Sequence, residues 1–414
     1  MADFMQVNAD LHFHGKYAGG VSDRMTPKII AENAPLKGLQ LVSSADILHE
    51  GWQKIVKEEL TPTEDEAIFK AENGTKFILG TEVCSADRAH HLIFFPSFSK
   101  VAEVKEKFRN YSTDLNKDGR PRLRLSAEQI AEICAGAGCI TGFAHAFTPY
   151  FGLLALFNSY KKAYSSQWKN VSFMELGLSA DTNLADRISE LHNLTFTSNS
   201  DAHSPWPNKL GREFNVFEMK EISFDELKKA LNREQSRKCI LNVKFNPLEG
   251  KYHKTRCRGC LLFFDPKVAE KFNWHCPKCR DQIKKGVDYR ICVELADLPE
   301  GKHPEHRPSC LHTIPLSEII ALSRGIANSW SEKVQAEWRK FIDIFGTEIN
   351  ALINVPISEL ETVDKDVALY VQYFREGKIQ YIPGGAGQYG KLVKPGDEVK
   401  IEMFDDKQKM LSDF

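Results

Sequence analysis

The chain has 414 residues, 42% of them hydrophobic, and its 55 Lys and Arg residues nearly balance 56 Asp and Glu residues, giving a formal net charge of −1. This length predicts two or three domains of roughly 150 residues, and the composition excludes collagen, disordered chains, small disulfide scaffolds and a general electrostatic attraction to nucleic acid or anionic membranes. No run approaches the ~18 apolar residues of a membrane helix, and the first residues do not resemble a secretory signal, so we expect a cytoplasmic protein that does not associate with membranes.

Residues 1–240 alternate short apolar runs with amphipathic segments. The apolar runs have the length of strands, and helices are predicted between them at 27–35, 126–137 and 181–192. Ser126 and Gln129 have the spacing of a capping box. Roughly seven alternations are typical of an α/β barrel or sheet with parallel strands, whose functional residues lie at the C-terminal strand ends.

His12 and His14 lie in the first strand-like run, where a period of two places them on one face together with Asp10. Such a pair is weak support by itself, because a strand histidine is more often an ordinary buried or surface residue. However, later strand ends also carry side chains of the types that ligate metals. These are Asp46, Glu82, His91, His145, Asp201 and His203. The regular recurrence predicts a metal centre.

The order of these residues resembles that of the PHP (polymerase and histidinol phosphatase) superfamily. More narrowly, residues 8 to about 390 resemble the endonuclease Q family. The segments that carry this resemblance are ADLHFHGKYAGGVSDRMTP, GFAHAFTPYFG, MELGLSADTN, SNSDAHSP, two CxxC pairs and RPSCLHTIPLSEIIAL. It implies a distorted β/α barrel with two or three divalent metals at its C-terminal mouth. It also implies an enzyme that nicks DNA 5′ to a deaminated base (hypoxanthine, uracil or xanthine) or an abasic site.

The resemblance also implies a set of active-site metal ligands. They are His12, His14, Glu82, His91, His145, Asp201 and His203, with Asp46 completing the set. Imidazole and carboxylate donors admit Zn²⁺, Mn²⁺ or Mg²⁺. Ile47 stands where many PHP proteins have histidine, so a third metal has one ligand fewer unless His49 replaces it. His90 and His91 point to opposite faces, and we predict that His91 ligates because it directly precedes an apolar run.

A cluster of divalent metals supplies hydroxide at neutral pH and stabilises the oxygens of an in-line displacement at phosphorus. The sequence contains neither a Ser-His-Asp arrangement nor a Walker A loop. We therefore predict phosphodiester hydrolysis by metal-bound hydroxide, which leaves a 3′-hydroxyl and a 5′-phosphate. Glu175 and Asp181 are candidates for orienting ligands or contacting DNA, although a helix cap suits Asp181 equally well.

A nuclease that selects a damaged base must flip the nucleotide out of the helix to inspect its edge. Four aromatic residues follow the predicted ligands and are candidates for stacking on such a base. They are Phe147, Tyr150, Phe151 and Trp206. Any one of them is more often ordinary packing, so the prediction rests on their grouping.

Residues 257–279 contain a four-cysteine pattern. Cys257, Cys260, Cys276 and Cys279 have the C-x2-C-x15-C-x2-C spacing of a structural zinc site. The surrounding segment 237–285 has thirteen Lys and Arg residues against four Asp and Glu residues. Arg256, Arg258, Lys278 and Arg280 are therefore candidates for contacting DNA phosphates, and a solvated charged face is the alternative.

From about residue 308 the pattern becomes helical, and a glycine-rich PGGAGQYG segment follows at 383–390. Its GxGxxG spacing lacks the strand before and helix after that a dinucleotide site needs, so a plain turn is the favoured interpretation and a loop approaching DNA phosphate the alternative. The tail places Gln408, Leu411 and Phe414 in a shortened resemblance to peptides that bind the sliding clamp (PCNA).

These observations predict four parts. A PHP metal-dependent catalytic domain spans 1–240, a basic four-cysteine zinc-binding domain 241–307, a helical domain 308–396, and a charged tail 397–414. The favoured function is a metal-dependent DNA-repair endonuclease with one structural zinc. Two alternatives remain open: a PHP phosphatase acting on a small phosphomonoester, and a DNA-binding scaffold without catalysis.

Overall fold

The computed structural model describes residues 4–404, in which two β-sheets of eight and five strands form a distorted barrel. The strands are β1 (Met5–Asp10), β2 (Leu41–Ser43), β3 (Thr61–Pro62), β4 (Ile68–Lys70), β5 (Lys76–Ile78), β6 (Gly80–Cys84), β7 (His90–Phe94), β8 (Ile140–Phe143), β9 (Val171–Glu175), β10 (Thr195–Thr197), β11 (Phe214–Met219), β12 (Lys238–Lys244), β13 (Arg256–Cys257), β14 (Ile283–Lys284), β15 (Ser309–His312), β16 (Gln380–Ile382) and β17 (Lys391–Val393). The larger sheet has the order β15-β12-β11-β1-β2-β5-β4-β3, and the smaller has the order β10-β9-β8-β7-β6. The other four strands form two separate two-stranded sheets, β13-β14 and β16-β17.

Helices cover the outside of the barrel and form most of the C-terminal part. They are α1 (Pro27–Lys37), α2 (Glu50–Glu59), α3 (Phe98–Arg109), α4 (Ala127–Gly136), α5 (Leu153–Leu156), α6 (Tyr160–Tyr164), α7 (Thr182–Ala185), α8 (Phe224–Asn232), α9 (Pro266–Lys271), α10 (Val287–Tyr289), α11 (Leu316–Arg324), α12 (Glu332–Phe345), α13 (Ile357–Val363) and α14 (Lys365–Arg375). No helix in the described part of the chain is long and apolar enough to cross a membrane.

The barrel interior is filled by side chains from both sheets. Val7 of β1, Ile78 of β5, Phe94 of β7 and Phe173 of β9 belong to one buried cluster. Side chains on the other face of the strands pack under the helices, as Ile93 does beside helix α3. This alternation follows from the period of two along a strand and confirms the predicted mixed α/β class.

The prediction of parallel strands holds only in part. Strand β1 pairs parallel with β2, and β8 with β9, but β6, β7 and β8 pair antiparallel. Only residues 85–89 connect β6 to β7. This connection is too short for the crossover that a parallel pair requires, so the two strands form a hairpin.

Two of the three predicted helices form as expected. Helix α1 runs two residues beyond the prediction, and α4 begins with the predicted capping box, in which the Ser126 hydroxyl accepts from the Gln129 amide. The predicted helix at 181–192 is wrong, because α7 ends at Ala185 and a separate 3-10 turn occupies Ser189–Asn193.

The zinc segment is inserted between two strands of the larger sheet. Strand β12 runs through residue 240, the predicted boundary, and β15 returns to pair parallel with it. Helices α11 to α14 then bury their own apolar cluster, which includes Trp338 and Phe341. The buried Lys37–Glu348 ion pair joins this helical part to the barrel.

Candidate functional site

Glu82, on strand β6, lies at the centre of the predicted metal cluster. Its Oε1 atom is 3.0 Å from His90 Nδ1 and 3.1 Å from His145 Nε2. Its Oε2 atom is 3.2 Å from His14 Nε2, and His12 Nε2 lies 3.5 Å from Oε1. All five side chains are buried. Residues that are distant in sequence therefore converge on one carboxylate.

Asp201 and His203 complete the cluster on the side nearer to solvent. Asp201 Oδ1 lies 3.6 Å from His14 Nε2 and 3.8 Å from His12 Nε2. The His14 and His203 rings are 5.1 Å apart between centroids. Three overlapping groups result, each with ligand atoms within 4.8 Å of one another: His12, His14 and Glu82; His14, Asp201 and His203; Glu82, His90 and His145.

The donor atoms of this cluster fit divalent cations. His12 Nε2, His14 Nε2, His145 Nδ1 and Asp201 Oδ1 are buried without a hydrogen-bond partner among residues 4–404. Leaving such atoms unsatisfied costs about 1–3 kcal/mol each, and coordination to a cation would satisfy those that face the cluster.

The charges of the cluster favour cation binding as well. Burial raises the pKa of Glu82, but the surrounding rings, led by His90 and His12, hold it well below its usual value. The same balance between burial and neighbouring histidines lowers the pKa of Asp201. Both carboxylates are therefore ionised at neutral pH and carry the negative charge that a divalent cation needs.

Two carboxylates orient the histidines from behind. Glu175 Oε2 is 2.8 Å from His12 Nδ1, and Asp46 Oδ1 is 3.0 Å from His14 Nδ1, so each ring directs its Nε2 atom into the cluster. This arrangement supports the orienting role suggested for Glu175. Asp46, predicted as a ligand, instead lies behind His14, where it also accepts a hydrogen bond from the Gly15 amide. Carboxylate–histidine pairs of this kind fix the ring that a metal binds.

The choice of His91 over His90 is wrong. His91 points away from the cluster, and its Nδ1 atom lies 2.6 Å from the Tyr164 hydroxyl. Burial, with a smaller contribution from His90, lowers the pKa of His91 to about 3. The cause is strand register: Leu92 pairs with Glu82, so the even-numbered residues of β7 share the face of Glu82.

Three residues of the site have unusual backbone conformations. The φ angles of Asp46, His145 and Asp201 are 37°, 26° and 46°. Non-glycine residues rarely adopt positive φ, and such strain concentrates at functional sites.

Other residues singled out in the sequence have structural roles. Asp181 caps α7 by accepting from the Leu184 amide, which confirms the helix-cap interpretation, and its carboxylate lies 3.2 Å from His312 Nε2. His49 caps α2 and stacks on Tyr17, so it does not replace the histidine missing at position 47. Asp10 accepts amide hydrogen bonds from Ser200 and Gly211 outside the cluster.

The four candidate aromatic residues do not form one pocket. Phe147 is buried in the core beneath the short helices. Phe151 stacks on His90 at 4.8 Å between ring centroids, and Tyr150 beside it is 54% exposed. Trp206 lies under the guanidinium group of Arg24.

Sequence reasoning missed Arg120. Its Nη1 atom is 3.5 Å from Glu82 Oε2, and the side chain is 28% exposed. The loop that carries it packs closely on the site, because a Cβ added at Gly119 would lie 2.5 Å from Asp46 Oδ2. No spacing in the sequence connects this loop to the metal ligands.

The four predicted zinc ligands converge as expected. Cys257 Sγ lies 3.4 Å from Cys279 Sγ, and Cys260 Sγ lies 3.6 Å from Cys276 Sγ. All four sulfur atoms are within 4.8 Å of one another. Tetrahedral Zn–S bonds of 2.3 Å place sulfurs about 3.8 Å apart, so the cluster fits a structural zinc ion.

The basic residues around this cluster are partly neutralised. Arg258 pairs with Asp281, and Lys278 pairs with Glu402. Arg256 donates to the Leu261 carbonyl, whereas Arg280 is exposed. The predicted clamp-binding residues Gln408, Leu411 and Phe414 lie outside the described residues.

Comparisons with known proteins agree with this geometry. The chain is 44% identical to the lesion-specific endonuclease PfuEndoQ of Pyrococcus furiosus, with a TM-score of 0.89 over 96% of this chain and 98% of that one. It is 43% identical to an endonuclease Q in complex with a 27-mer duplex substrate that has an abasic lesion at the active site, again with a TM-score of 0.89, over 95% and 97% of the two chains.

Two curated relatives are also similar. The uncharacterized protein YqxK of Bacillus subtilis is 31% identical over 94% of this chain and all of its own length. The uncharacterized protein MJ0043 of Methanocaldococcus jannaschii is 44% identical over 61% of this chain, which spans about a third (32%) of that longer protein. Family models match at residues 181–236 (PHP-associated) and 315–378 (MJ0043 C-terminal domain).

Proposed function

The chain belongs to the endonuclease Q family, and from that premise we propose that it is a metal-dependent DNA-repair endonuclease that nicks duplex DNA 5′ to a deaminated base or an abasic site. The bases are hypoxanthine, uracil and xanthine, and the products are a 3′-hydroxyl and a 5′-phosphate. The observation that carries this proposal is the convergence of Glu82, Asp201 and five histidines at the barrel mouth.

The three overlapping ligand groups support two or three divalent ions, of Zn²⁺, Mn²⁺ or Mg²⁺. The proposed ligands are His12, His14, Glu82, His90, His145, Asp201 and His203. Ions bound there would acidify a water molecule and draw negative charge from the phosphate. Glu82 contacts members of all three groups and holds them together. Glu175 and Asp46 fix the rings of His12 and His14 from behind.

The substrate phosphate approaches from the side of Asp201. This side chain is 31% exposed, whereas Glu82, His12 and His14 have almost no exposure. Arg120 lies at the same opening and adds a permanent positive charge beside the two carboxylates. An arginine in this position suits a contact with a non-bridging phosphate oxygen.

A cavity of about 170 Å³, two of whose wall residues adjoin or contact the sequence neighbours of proposed ligands, supports a pocket for the lesion. Its wall includes Leu178. The preceding residue, Gly177, packs closely on the proposed ligand His145, because a Cβ added at Gly177 would lie 2.9 Å from the Cβ of His145. Arg212, also in the wall, donates to the carbonyl of Ser200, which precedes the ligand Asp201. The cavity is thus within a few residues of two ligands.

The charges lining this cavity suit a deaminated base. Burial, followed by the charge of Glu318, raises the pKa of Glu249 well above its usual value, and burial also raises the pKa of Glu318. Lys209 and Arg212 in the same wall carry hydrogen-bond donors. Deamination replaces the amino donor of cytosine or adenine by an acceptor carbonyl. Donors in the pocket therefore accept the lesion and oppose the undamaged amino base.

The proposal is tested with a set of oligonucleotide duplexes, each containing one modified base. We expect wild type to nick the strand 5′ to uracil, hypoxanthine, xanthine and an abasic site, and Asp201→Asn or added chelator to abolish the nick. Equal cutting of undamaged duplex contradicts lesion selectivity. Cutting that survives chelation contradicts the role of the metals. Hydrolysis of a small phosphomonoester without nicking favours the phosphatase alternative, and lesion binding without any nick favours the scaffold.

The four-part division and the DNA-binding role of the zinc module are part of the same proposal. We place the first boundary after β12, at the end of the sheet strand. The tail supports a contact with the sliding clamp, because its Gln408, Leu411 and Phe414 pattern resembles clamp-binding peptides. Deleting residues 405–414 should abolish co-purification with the clamp and leave nicking of short duplexes unchanged.

A further inference from the structure

A second and much larger cavity, of about 710 Å³, lies between the barrel and the zinc module. Tyr150 and Leu156 line it from the barrel, Tyr252 and Trp274 line it from the inserted segment, and Gly387 of the glycine-rich segment closes one side. Its volume lies in the range of ligand sites rather than of packing defects. Four of its lining residues carry Phe, Tyr or Trp rings: Phe147, Tyr150, Tyr252 and Trp274.

Two of these aromatic residues are held in a strained backbone conformation. The φ angles of Tyr150 and Trp274 are 75° and 60°. Positive φ is a genuine outlier for a bulky residue and persists where the surroundings enforce it. Tyr150 is 54% exposed, so burial of its ring does not account for the strain. The two residues come from different parts of the chain and line the same cavity.

Three charged side chains that line this cavity, Arg290, Lys285 and Glu294, are already engaged within the protein. Arg290 is engaged by the carbonyls of Leu154 and Phe157, and Lys285 by Glu294. The Lys285 ammonium also lies 4.7 Å from the Trp274 ring centroid. Such a site combines positive charge with aromatic faces, as sites for unpaired nucleotides do, and it reads no particular base.

One residue of the cavity wall, Tyr150, is adjacent in sequence to a residue that contacts the metal cluster. Tyr150 is followed directly by Phe151, whose ring stacks on His90 and whose carbonyl accepts from the His90 amide. The glycine-rich segment fixes the far wall: the Gly387 amide donates to the Lys251 carbonyl, and a Cβ at Gly384 would lie 2.4 Å from the Gly250 carbonyl oxygen. This contact gives the glycines a packing reason.

We propose that this cavity receives an undamaged, unstacked nucleotide of the strand that is cut, next to the lesion, and holds its base against Tyr150 and Trp274. The proposal rests on the proposed function, because it needs the cut strand at the metal cluster. The small cavity then recognises the damaged base, and the large cavity binds a neighbouring nucleotide whatever its base. Binding in both cavities stabilises the distorted strand on each side of the cut. Intact duplex keeps its bases stacked and therefore makes neither of these contacts.

Photocrosslinking tests this assignment. Duplexes carry one uracil and one 5-iodocytosine, placed in turn at each position within about three nucleotides on either strand, and are bound to Asp201→Asn so that the DNA stays whole. We expect an adduct at Tyr150 or Trp274 from a position on the uracil-containing strand. Adducts at these residues only from the opposite strand, or none at these residues, overturn the proposal.

Kinetics provide a second measurement. Tyr150→Gly removes the ring and relieves the positive φ, so we expect an unchanged or higher Tm together with a roughly tenfold loss in kcat/KM, mainly through KM. Tyr111→Ala, at an exposed tyrosine elsewhere on the barrel, is the matched control and should change neither. Unchanged kcat/KM in Tyr150→Gly contradicts the assignment. Wild type that fails to nick the uracil duplex contradicts the proposed function instead.

Discussion

The four-cysteine cluster takes its side chains from residues 257–279. The cluster around Glu82 takes its side chains from residues 12–203 and from at least four strands or strand ends. In the first, two tight turns bring pairs of thiols together, and little else of the fold is needed. In the second, the barrel must close before the ligands meet. Local spacing can therefore specify a closed structural site, whereas an open reactive site depends on the packed sheet behind it.

The largest expected effect comes from replacing one of the four clustered cysteines, which should unfold the zinc module but not the barrel. Zinc binding to a structural site contributes about 10–16 kcal/mol, so Cys260→Ser should unfold the zinc module locally and release one zinc. Limited proteolysis should cut within residues 255–285, while the thermal transition of the barrel remains. Cys292→Ser, at a half-buried cysteine outside the cluster, is the control. A protease-resistant Cys260→Ser module would show that zinc does not hold this segment.

The next largest effect comes from a change in the cluster around Glu82, which should leave the four-cysteine cluster intact. Glu82→Gln removes the carboxylate shared by two of the three proposed ligand groups, so nicking should fall at least ~10³-fold, equivalent to several kcal/mol of lost charge stabilisation. The zinc of the cysteines should be retained, as measured by metal analysis. Glu66→Gln, an exposed site on the same part of the chain, is the matched control. Loss of the cysteine-bound zinc in Glu82→Gln would mean that the two clusters fold as one unit.

A smaller effect is expected from Glu175, which lies on the sheet behind His12 and orients its ring. Glu175→Gln keeps the size of the side chain that contacts His12 Nδ1 but removes its charge, so metal affinity or activity should fall about 10–100-fold. Titration with Mn²⁺ should show weaker apparent binding, and excess Mn²⁺ should restore part of the activity. A drop in kcat that metal does not relieve would instead point to a direct contact between Glu175 and DNA.

The smallest effect is expected from the helix cap Ser126, which belongs to neither cluster. Ser126→Ala removes the cap of α4 and should lower the free energy of unfolding by about 1 kcal/mol. Nicking and both metal contents should stay unchanged, as judged by denaturant unfolding and metal analysis of the same sample. A loss of nicking in Ser126→Ala would show that the cluster around Glu82 depends on the stability of helix α4 on the outside of the barrel.

Much of the site was predictable because its chemistry is carried by residue type and local order. The HxH pair, Glu82, His145 and the SDAH segment indicated the side chains that converge in the cluster and the family, and the capping box located α4. The His90 and His91 choice failed because alternation along a strand says that the two side chains diverge but not which face meets Glu82. That depends on the register between β6 and β7, which only pairing reveals.

The donor types, the four-cysteine spacing and the overall class could be predicted from the sequence, because each depends on residues that are neighbours along the chain. Only the packed fold shows that Asp46 orients His14 rather than facing the cluster, that Arg120 reaches Glu82, and that residues from the barrel and the inserted segment line two cavities. These features arise where segments far apart in sequence pack against one another. Their positions follow from how the sheets close and the inserted module docks, which no local pattern encodes.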